Sequence, residues 1–390
     1  MKLKYAPAML LAAPAMLLAA LAMASCGSGA SKDVPAETGA GLYLIIGSYS
    51  DAEEEGIKVY EFDEETGSAR YVSGISGIKN PSFVYPSANG DYVYAVGENE
   101  APDVATANVL AFDATRGELR LVSTQPTHGD APCNIIVSPD GKSLYTSNYA
   151  GGSITEFALG PDGQLGEGHV VRFSGSSVHP ERQKQPYLHA VNFTPDGKFL
   201  LADDLGTDRI HMLPCSTPLD SSKLQDIEVA SGTGPRHLCW SPDGRRAYLI
   251  GEISGHVITF GYDNGHLEQL QSLRADSLGA EGSGDIHCSP DGRFVYTSHR
   301  LKGDGISIMR VLPDGRLEKV GYQPTGIHPR NFAITPGGKY VVVACRDTGI
   351  QVFSRDATTG LLSPTDSKID TPRPVCLQWI PKKIGAKKQL

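Results

Sequence analysis

Short apolar runs recur along this chain, separated by turns in which Pro, Asp and Gly stand together. The repeating unit is an apolar run, then Ser or Thr with Pro-Asp-Gly, a basic residue and a second apolar run, as in SPDGKSLYTSN from Ser138 and SPDGRFVYTSH from Ser289. Proline sets φ, aspartate accepts hydrogen bonds from the nearby backbone, and glycine permits positive φ. Each unit therefore predicts two antiparallel strands joined by a tight turn, and the same residues exclude a continuous helix.

The unit occurs in six copies, which predicts a repeat architecture. The turn prolines are Pro86, Pro139, Pro195, Pro242, Pro290 and Pro336, so successive copies lie 46 to 56 residues apart. A second turn, such as GPDG from Gly160, follows the hairpin in related forms, so that one period holds four short strands. Four antiparallel strands in each repeat form the blade of a β-propeller, and the predicted fold class is all-β.

The two ends of the repeat region are incomplete in complementary ways. Three predicted strands, Leu42–Tyr49, Lys58–Asp63 and Ala69–Gly74, precede the first turn, and a single strand, Pro374–Pro381, follows the last blade. If these four strands share one sheet, the ring closes and leaves no exposed sheet edge. The sequence thus predicts a seven-bladed β-propeller over residues 41–381, with one blade made from both ends of the chain.

The N-terminal segment has the pattern of an export signal. Two lysines precede an Ala-, Leu- and Met-rich segment that ends in ASC at residues 24–26, as in bacterial lipoprotein signals. An ordinary cleaved signal and an uncleaved anchor are the alternatives. We expect a signal peptide over 1–25, lipid on Cys26, a flexible tether over 26–40 and a basic tail over 382–390. This pattern predicts an exported lipoprotein anchored to a membrane in the periplasm, outer membrane or cell surface.

The composition and charge of the chain argue against several kinds of binding partner. The net charge of −9 and the absence of basic stretches interleaved with aromatic residues argue against nucleic acid. The six cysteines after Cys26 include no C-x-x-C motif, so buried free thiols are expected, although a disulfide stays open. Asp203, Asp204 and Asp285 have the spacing of blade loops and not of a compact metal-binding loop. We expect no metal, no cofactor and a monomer.

Polar side chains converge at one end of the predicted hairpins. In a propeller the first strand of each blade lines the central channel, so the loops that enter this strand and the loops between strands two and three open on one face. Arg236 and Glu252 each stand eight residues from Gly244, so the hairpin should bring them side by side. The candidate site residues on this face are His189, Arg236, His237, Glu252, Arg300, Arg330, Asn148 and, in a long insertion before the third hairpin, Arg182.

Structural roles remain open for the same residues. His189 could do no more than satisfy a backbone carbonyl, and Arg236 with Glu252 could be a salt bridge within one blade. His237 could equally be structural, and the insertion that contains Arg182 could fold over the channel mouth or be an exposed loop. The density of charge around one channel mouth nevertheless favours a binding or catalytic site.

Four segments carry a family resemblance: VHPERQKQPYLHAVNFTPDG, GTGPRHLCWSPDGRRAYLIGE, FVYTSHRLKGDGISIM and GIHPRNF. They resemble the seven-bladed lactonase family, which contains the propeller-type 6-phosphogluconolactonases and the fungal carboxy-muconate lactonizing enzymes. The resemblance covers residues 42–381 and implies that His189, Arg236 and Glu252 are catalytic and that Arg300 binds substrate. The chain departs from the family at Tyr187, where a second histidine is usual, and in having Ser-His-Arg for Ser-Asn-Arg at residues 298–300.

These residue types suit the opening of a lactone. A neutral imidazole at His189 can take a proton from water, Arg236 can hold the developing oxyanion, and Glu252 can orient that arginine or act as a second acid or base. Arg300 and Arg330 are expected to bind anionic groups. His237, Asn148 and Arg182 are further candidates for substrate binding.

Three functions are consistent with these residues and with the resemblance. The first is a lactonase that hydrolyses a sugar-derived or similar lactone to its hydroxy acid, as a 6-phosphogluconolactonase does. A non-catalytic cell-envelope propeller that binds a partner and a cycloisomerase that forms lactones are the alternatives. The predicted export of the chain separates it from cytoplasmic sugar phosphates, which favours another aldonolactone or cyclic ester.

Overall fold

The computed structural model describes residues 41–101 and 104–383. The signal, Cys26, the tether and most of the C-terminal tail lie outside these residues. Over the described part of the chain, 28 strands form seven sheets of four antiparallel strands each. Beyond the strands there is one short 3₁₀ segment, Ser221–Lys223, and no helix among these residues is long and apolar enough to cross a membrane. The predicted all-β, seven-bladed propeller is therefore confirmed.

The strands are numbered in chain order. The composite blade, blade 7, contains β1 (Leu42–Ser48), β2 (Ile57–Phe62), β3 (Ala69–Ile75) and β28 (Pro374–Pro381). Blade 1 contains β4 (Val84–Pro86), β5 (Tyr92–Gly97), β6 (Thr106–Asp113) and β7 (Glu118–Pro126). Blade 2 contains β8 (Pro132–Val137), β9 (Ser143–Asn148), β10 (Ser153–Leu159) and β11 (Leu165–Arg172). Blade 3 contains β12 (Leu188–Phe193), β13 (Phe199–Asp204), β14 (Arg209–Pro214) and β15 (Gln225–Glu228). Blade 4 contains β16 (Pro235–Trp240), β17 (Arg246–Gly251), β18 (His256–Asp263) and β19 (His266–Arg274). Blade 5 contains β20 (Ser283–Cys288), β21 (Phe294–His299), β22 (Gly305–Val311) and β23 (Leu317–Pro324). Blade 6 contains β24 (Pro329–Ile334), β25 (Tyr340–Cys345), β26 (Gly349–Arg355) and β27 (Leu362–Ile369).

The Ser-Pro-Asp-Gly turns have the hydrogen bonds that their residue types predict. In blade 4 the Ser241 hydroxyl donates to Oδ1 of Asp243 at 2.6 Å, and the backbone N–H of Arg245 donates to the same oxygen at 3.0 Å. Gly244 has φ of 68°, a conformation that costs a residue with a Cβ but not glycine. The turn therefore fixes where β16 ends and β17 begins, and with it the register of the hairpin.

The ring closes through the two ends of the chain. Strand β28 pairs antiparallel with β1, with Ile45 opposite Gln378, and the backbone N–H of Lys382 donates to the carbonyl of Gly41 at 2.8 Å. The sheet order β28-β1-β2-β3 is the predicted composite blade.

Apolar packing lies between neighbouring blades. Blades 5 and 6, for example, bury Phe294, Phe332 and Phe353 in one cluster. Because each blade buries apolar surface against its neighbours, the propeller is held together without a core on its axis. Side chains from the first strand of each blade line the central channel, and they include both polar residues such as Asn134 and apolar residues such as Ile136.

Candidate active site

A ring of side chains at the start of the inner strands forms the floor of the funnel. In six of the seven blades the pairing between the inner strand and the next strand shifts near this point, so that the inner strand has an extra residue. Such a bulge redirects a side chain out of the regular alternation of the strand. The extra residues are Cys133, His189, Arg236, Gly284 (with Asp285), Arg330 and Val375, and Ser82 stands at the matching place in blade 1.

A second ring surrounds the mouth of the funnel. Its members are the residues that directly follow the second strand of each blade: Tyr49, Glu98, Tyr149, Leu205, Glu252, Arg300 and Arg346. Leu205 is fully buried, and the Arg346 guanidinium is paired with Asp347 at 2.7 Å. The remaining five bring two carboxylates, two phenols and one guanidinium to positions above the floor.

Arg236 and Glu252 are side by side, as their spacing from the turn predicts. Nε of Arg236 donates to Oε2 of Glu252 at 2.7 Å, and Nη1 of the same arginine donates to the backbone carbonyl of Gly284 at 2.8 Å. Arg236 is 1% exposed although it carries a full charge. Its carboxylate partner and the carbonyl of the next blade compensate for that burial and fix the direction of the guanidinium.

Glu252 joins three arginines. Besides Arg236, its Oε1 accepts from Nη2 of Arg182 at 2.6 Å and lies 3.4 Å from Nη2 of Arg300. Burial alone raises the pKa of a carboxyl group, but the three guanidinium groups lower the pKa of Glu252 to about 2. Glu252 is therefore ionised at neutral pH, and the cluster keeps a surplus of positive charge.

Arg330 is the guanidinium with the most freedom to bind a ligand. It is half-buried in the floor and its Cζ lies 5.5 Å from the centre of the Tyr49 ring, a cation–π contact. Within residues 41–101 and 104–383 we find no hydrogen bond or ion pair made by its guanidinium. The Tyr49 hydroxyl donates to Glu98 at 3.1 Å, and burial raises the pKa of Tyr49 to about 12, which keeps that donor neutral.

Two imidazoles lie beside Arg236 in the floor. The ring centres of His189 and His237 are 5.1 Å apart, and Nδ1 of His237 lies 2.6 Å from Oδ1 of Asp285. Burial and the Arg236 charge hold the pKa of His189 well below its ordinary value of 6.5. The same two causes lower the pKa of His237 to about 4, although Asp285 opposes them. Both rings are therefore neutral at neutral pH.

The long insertion reaches the funnel. Arg182 contacts Glu252 as described, and its neighbour Gln183 is fully buried, donating from Nε2 to the carbonyl of Leu205 at 2.9 Å. Oε1 of Gln183 accepts from the backbone N–H of His179 at 3.0 Å. The loop is thereby fixed to blade 3, with the Arg182 side chain one-third exposed at the edge of the funnel.

Asn148 requires a correction. It is fully buried, and its side-chain amide donates to the hydroxyls of Ser153 and Thr155 at 3.0 and 2.9 Å while accepting from Thr146 at 3.1 Å. No surface of Asn148 is left for a ligand, so the structure places it in the hydrogen bonding inside blade 2. The expected role in substrate binding is withdrawn.

Sequence reasoning missed Glu98, Tyr49 and Tyr149. A signal for Glu98 is present, because AVGE at residues 95–98 matches LIGE at residues 249–252, and both stand at the end of a second strand. A similar rule would have found the floor, since its residues in blades 1 to 6 stand five positions before the Ser or Thr of the turn. Tyr49 and Tyr149 occupy the same position in their blades as Glu98, but they are not carboxylates and so lack this match to Glu252.

Two of the three aspartates with blade-loop spacing contact histidine side chains. Asp204 accepts from Nε2 of His211 at 3.1 Å, and Asp285 bridges two histidines. In the part of the chain that the structure describes, no three His, Cys, Asp or Glu side chains have an arrangement suited to holding a metal ion.

Asp203 is buried without a charge partner, and we expect Asp203→Asn to stabilise the protein at pH 8. Burial raises the pKa of Asp203 to about 8, and its Oδ1 has no hydrogen-bond partner among the described residues. A carboxyl whose pKa is higher in the folded state binds a proton that the unfolded chain has lost, so stability falls as pH rises from about 4 to about 8. Asp203→Asn has no carboxyl group at this position, so its stability does not fall in this way as pH rises.

Urea unfolding from pH 4 to pH 8 tests this expectation. The free energy of unfolding of Asp203→Asn should exceed that of the wild type by at least about 2 kcal/mol at pH 8 and by little at pH 4. Asp314→Asn, at an exposed turn, should show no such trend. A constant difference across the range would contradict the proposed burial of a neutral carboxyl.

Known proteins with similar sequences and folds exist. A family model described as "Lactonase, 7-bladed beta-propeller" matches residues 43–379. The 6-phosphogluconolactonase of Formosa agariphila is 34% identical over 331 residues, covering 82% of this chain and 94% of that protein.

Two solved structures are similar over most of their length. A Bacteroides fragilis protein, described provisionally as a 6-phosphogluconolactonase, is 47% identical with a TM-score of 0.84, covering 89% of this chain and 100% of that one. The periplasmic gluconolactonase of Pseudomonas aeruginosa is 32% identical with a TM-score of 0.81, covering 88% of this chain and 100% of that one.

Proposed function

The chain belongs to the seven-bladed β-propeller lactonase family, and from this premise we propose that it hydrolyses the lactone of a sugar acid to the open hydroxy acid. The observation that carries the proposal is the buried Arg236, which Glu252 and the Gly284 carbonyl direct into a funnel floor lined by two neutral imidazoles. A salt bridge that only stabilised one blade would not require those imidazoles or the further arginines around the carboxylate.

The reaction uses each of these groups. Water attacks the ester carbonyl, negative charge develops on the carbonyl oxygen, and the ring oxygen leaves as an alkoxide that must be protonated. The Arg236 guanidinium holds the developing oxyanion in a site from which water is largely excluded. A neutral imidazole of the floor takes the proton from the attacking water and returns it to the leaving oxygen.

Arg300 and Arg330 suit the polar substituents of a sugar lactone. Nε of Arg300 donates to the Gly282 carbonyl at 2.8 Å, so its direction is fixed, whereas the Arg330 guanidinium has no hydrogen-bond partner among the described residues. Since positive charge exceeds negative charge in the funnel, the site favours a substrate rich in hydroxyl oxygens or bearing an anionic group.

We further propose that the protein works outside the cytoplasm. The ASC sequence at residues 24–26 supports a lipoprotein signal, and the similar Pseudomonas aeruginosa protein is periplasmic by its description. In that compartment an unphosphorylated aldonolactone such as a gluconolactone is a more accessible substrate than a cytoplasmic sugar phosphate.

Ring-opening assays on a panel of lactones test the function. Each turnover of an aldonolactone at neutral pH releases one proton, so the rate is read with a pH indicator in weak buffer, after subtraction of spontaneous hydrolysis. The panel contains glucono-δ-lactone, 6-phosphogluconolactone and aliphatic γ-lactones. Acceleration of at least one sugar lactone is expected, and a folded protein that accelerates none would favour a non-catalytic binding propeller.

Arg182→Ala should weaken substrate binding more than chemistry. The side chain lies at the edge of the funnel, one-third exposed, and contacts Glu252 and not the floor. We expect KM to rise about tenfold, the loss of roughly 1.4 kcal/mol of binding, with kcat changed less than threefold. Lys184→Ala, in the same loop but paired with the exposed Glu181, is the control and should leave both constants unchanged. A large fall in kcat with unaltered KM would contradict this role.

A further inference from the structure

The two imidazoles of the funnel floor differ in their partners. Among the described residues, the hydrogen-bond contact that we find for the His189 ring is from Nδ1 to the weakly polar Sγ of Cys133, at 3.9 Å. His237 instead has a carboxylate, Asp285, at 2.6 Å from its Nδ1. A carboxylate beside one ring nitrogen orients an imidazole and stabilises its protonated form. This difference bears on which ring takes the proton in the proposed reaction.

Asp285 has every oxygen position occupied by donors. Its Oδ1 faces Nδ1 of His237 and accepts from its neighbour's backbone N–H, that of Ile286, at 2.9 Å. Its Oδ2 lies 2.7 Å from Nε2 of His287 and also accepts from the side-chain amide of Asn331. Burial alone would raise the pKa of Asp285, but His287 and His237 hold it well below the usual range. Asp285 is 3% exposed and ionised.

An ionised carboxylate decides the tautomer of His237. A carboxylate can only accept, so the ring nitrogen that faces it carries the hydrogen. His237 therefore has its proton on Nδ1 and a lone pair on Nε2. Nη1 of Arg236 lies 3.4 Å from Nε2 and donates one of its two hydrogens to the Gly284 carbonyl at 2.8 Å. The contact with Nε2 is longer than an ordinary N–H hydrogen bond, so the Nε2 lone pair is available to an incoming water beside the guanidinium that holds the oxyanion.

We infer that His237 is the general base of the funnel and that Asp285 is the residue that positions it. An O–H bond of water breaks, its proton passes to Nε2 of His237, and the oxygen bonds to the lactone carbonyl carbon. The carbonyl electron pair moves to the oxygen held by Arg236. When the ring C–O bond breaks, the imidazolium of His237 returns the proton to the leaving alkoxide, and Asp285 stays ionised throughout.

The charges around His237 fit this cycle. Arg236 and His189 face it on the floor, and Asp285 and His287 lie on its other side. In the empty funnel Arg236 disfavours the imidazolium. Once negative charge develops on the substrate oxygen beside Arg236, that repulsion is offset and the ring becomes a stronger base at the moment the proton moves. The inference rests on the proposed lactonase function. It assigns to His237 the role of general base, which the sequence analysis gave to His189.

Asp285→Asn is the main test. An asparagine amide keeps the shape of the side chain but carries no negative charge, so the imidazolium of His237 that forms during the reaction loses the carboxylate that stabilises it. We expect kcat to fall at least thirtyfold with KM changed less than threefold, and the acid limb of the pH profile to change. A loss in kcat smaller than thirtyfold overturns the inference.

Blade 3 contains a matched control. Nδ1 of His211 lies 2.6 Å from Oδ1 of Asp226, the same geometry as His237 with Asp285, but on outer strands away from the funnel. Asp226→Asn should leave kcat and KM within twofold of the wild type. An equal loss in both variants would show that Asp285 acts only on stability, which also overturns the inference.

A measurement on the wild type covers the case in which Asp285→Asn does not fold. The ¹⁵N chemical shifts of a histidine ring distinguish a protonated Nδ1 from a protonated Nε2. We expect His237, assigned by comparison with His237→Gln, to carry its proton on Nδ1 at pH 7, and the opposite tautomer overturns the proposal. If the wild type opens no lactone, the proposed function is contradicted. The tautomer of His237 is measured independently of that result.

Discussion

Arg236→Ala is expected to lower kcat/KM for the lactone substrate by about 10³-fold. The guanidinium is the fixed donor in the funnel floor, because Glu252 and the Gly284 carbonyl hold two of its nitrogens at 2.7 and 2.8 Å. Donors fixed in this way act on charge that develops only in the transition state, so their loss affects kcat more than KM. Steady-state rates on the best lactone of the panel measure the change.

A matched arginine on the opposite face separates catalysis from stability. Arg355 is also buried, and it donates to the Tyr296 hydroxyl and the Gly338 carbonyl and pairs with Asp291 at 2.7 Å. Arg355→Ala should destabilise the protein in a similar way and keep kcat/KM within threefold. If Arg236→Ala stayed folded and retained more than a tenth of the wild-type kcat/KM, the assignment of Arg236 to the oxyanion would be wrong.

Glu252→Gln is expected to cost about 3–5 kcal/mol of the free energy of unfolding at pH 7. The substitution keeps the shape of the side chain but leaves Arg236, Arg182 and Arg300 without their shared negative charge. Removing one member of a buried ion cluster leaves the others uncompensated, which is the unfavourable case for buried charge. Urea unfolding at pH 7 measures the loss.

The pH dependence of that loss follows from the pKa of Glu252, which is lowered to about 2. A carboxyl whose pKa falls on folding stabilises the native state above its unfolded pKa, and this contribution disappears as pH falls through the folded pKa. The difference between the wild type and Glu252→Gln should therefore be full at pH 5 and shrink toward pH 2. Glu228→Gln, in an exposed pair with Arg209, should differ little from the wild type at any pH.

Much of the fold could be predicted because the turns repeat. The Pro-Asp-Gly turn at residues 139–141 marks where the second strand of its blade begins, and the structure has that strand at Ser143–Asn148. The fourth strand of the same blade runs over Leu165–Arg172, and the sequence marks its start less clearly. Outer strands have one solvated face and polar residues such as Glu167, so an apolar pattern does not mark where they begin.

The site was predictable in part for the same reason. Spacing from the turn brought Arg236 and Glu252 together, and loops on one face brought Arg300 and Arg330 near them. The bulges were not predictable, because the extra residue of an inner strand leaves no mark in the alternation of apolar and polar positions. Asn148 was misplaced for a related reason, since polarity at a strand end does not show whether a side chain faces the channel or its own blade.

The contact of Asp285 with His237 joins residues 48 positions apart on the inner strands of two neighbouring blades. Such contacts depend on how one blade is rotated against the next, which no local pattern reports. The repeat therefore predicts which residues stand at the floor, while the packing of blades decides which of them meet.

The closure of blade 7 also sets the order of events when the protein is made. Strand β28 is the last part of the propeller to be synthesised, and its partner β1 is the first. Until Pro374–Pro381 is available, the sheet of blade 7 lacks its inner strand, and β1 has an open edge of unpaired backbone groups able to pair with another chain. Closure of the ring thus waits for the synthesis of β28. A chain without this eight-residue strand cannot complete blade 7, so the ring depends on a strand far from its partner in the sequence.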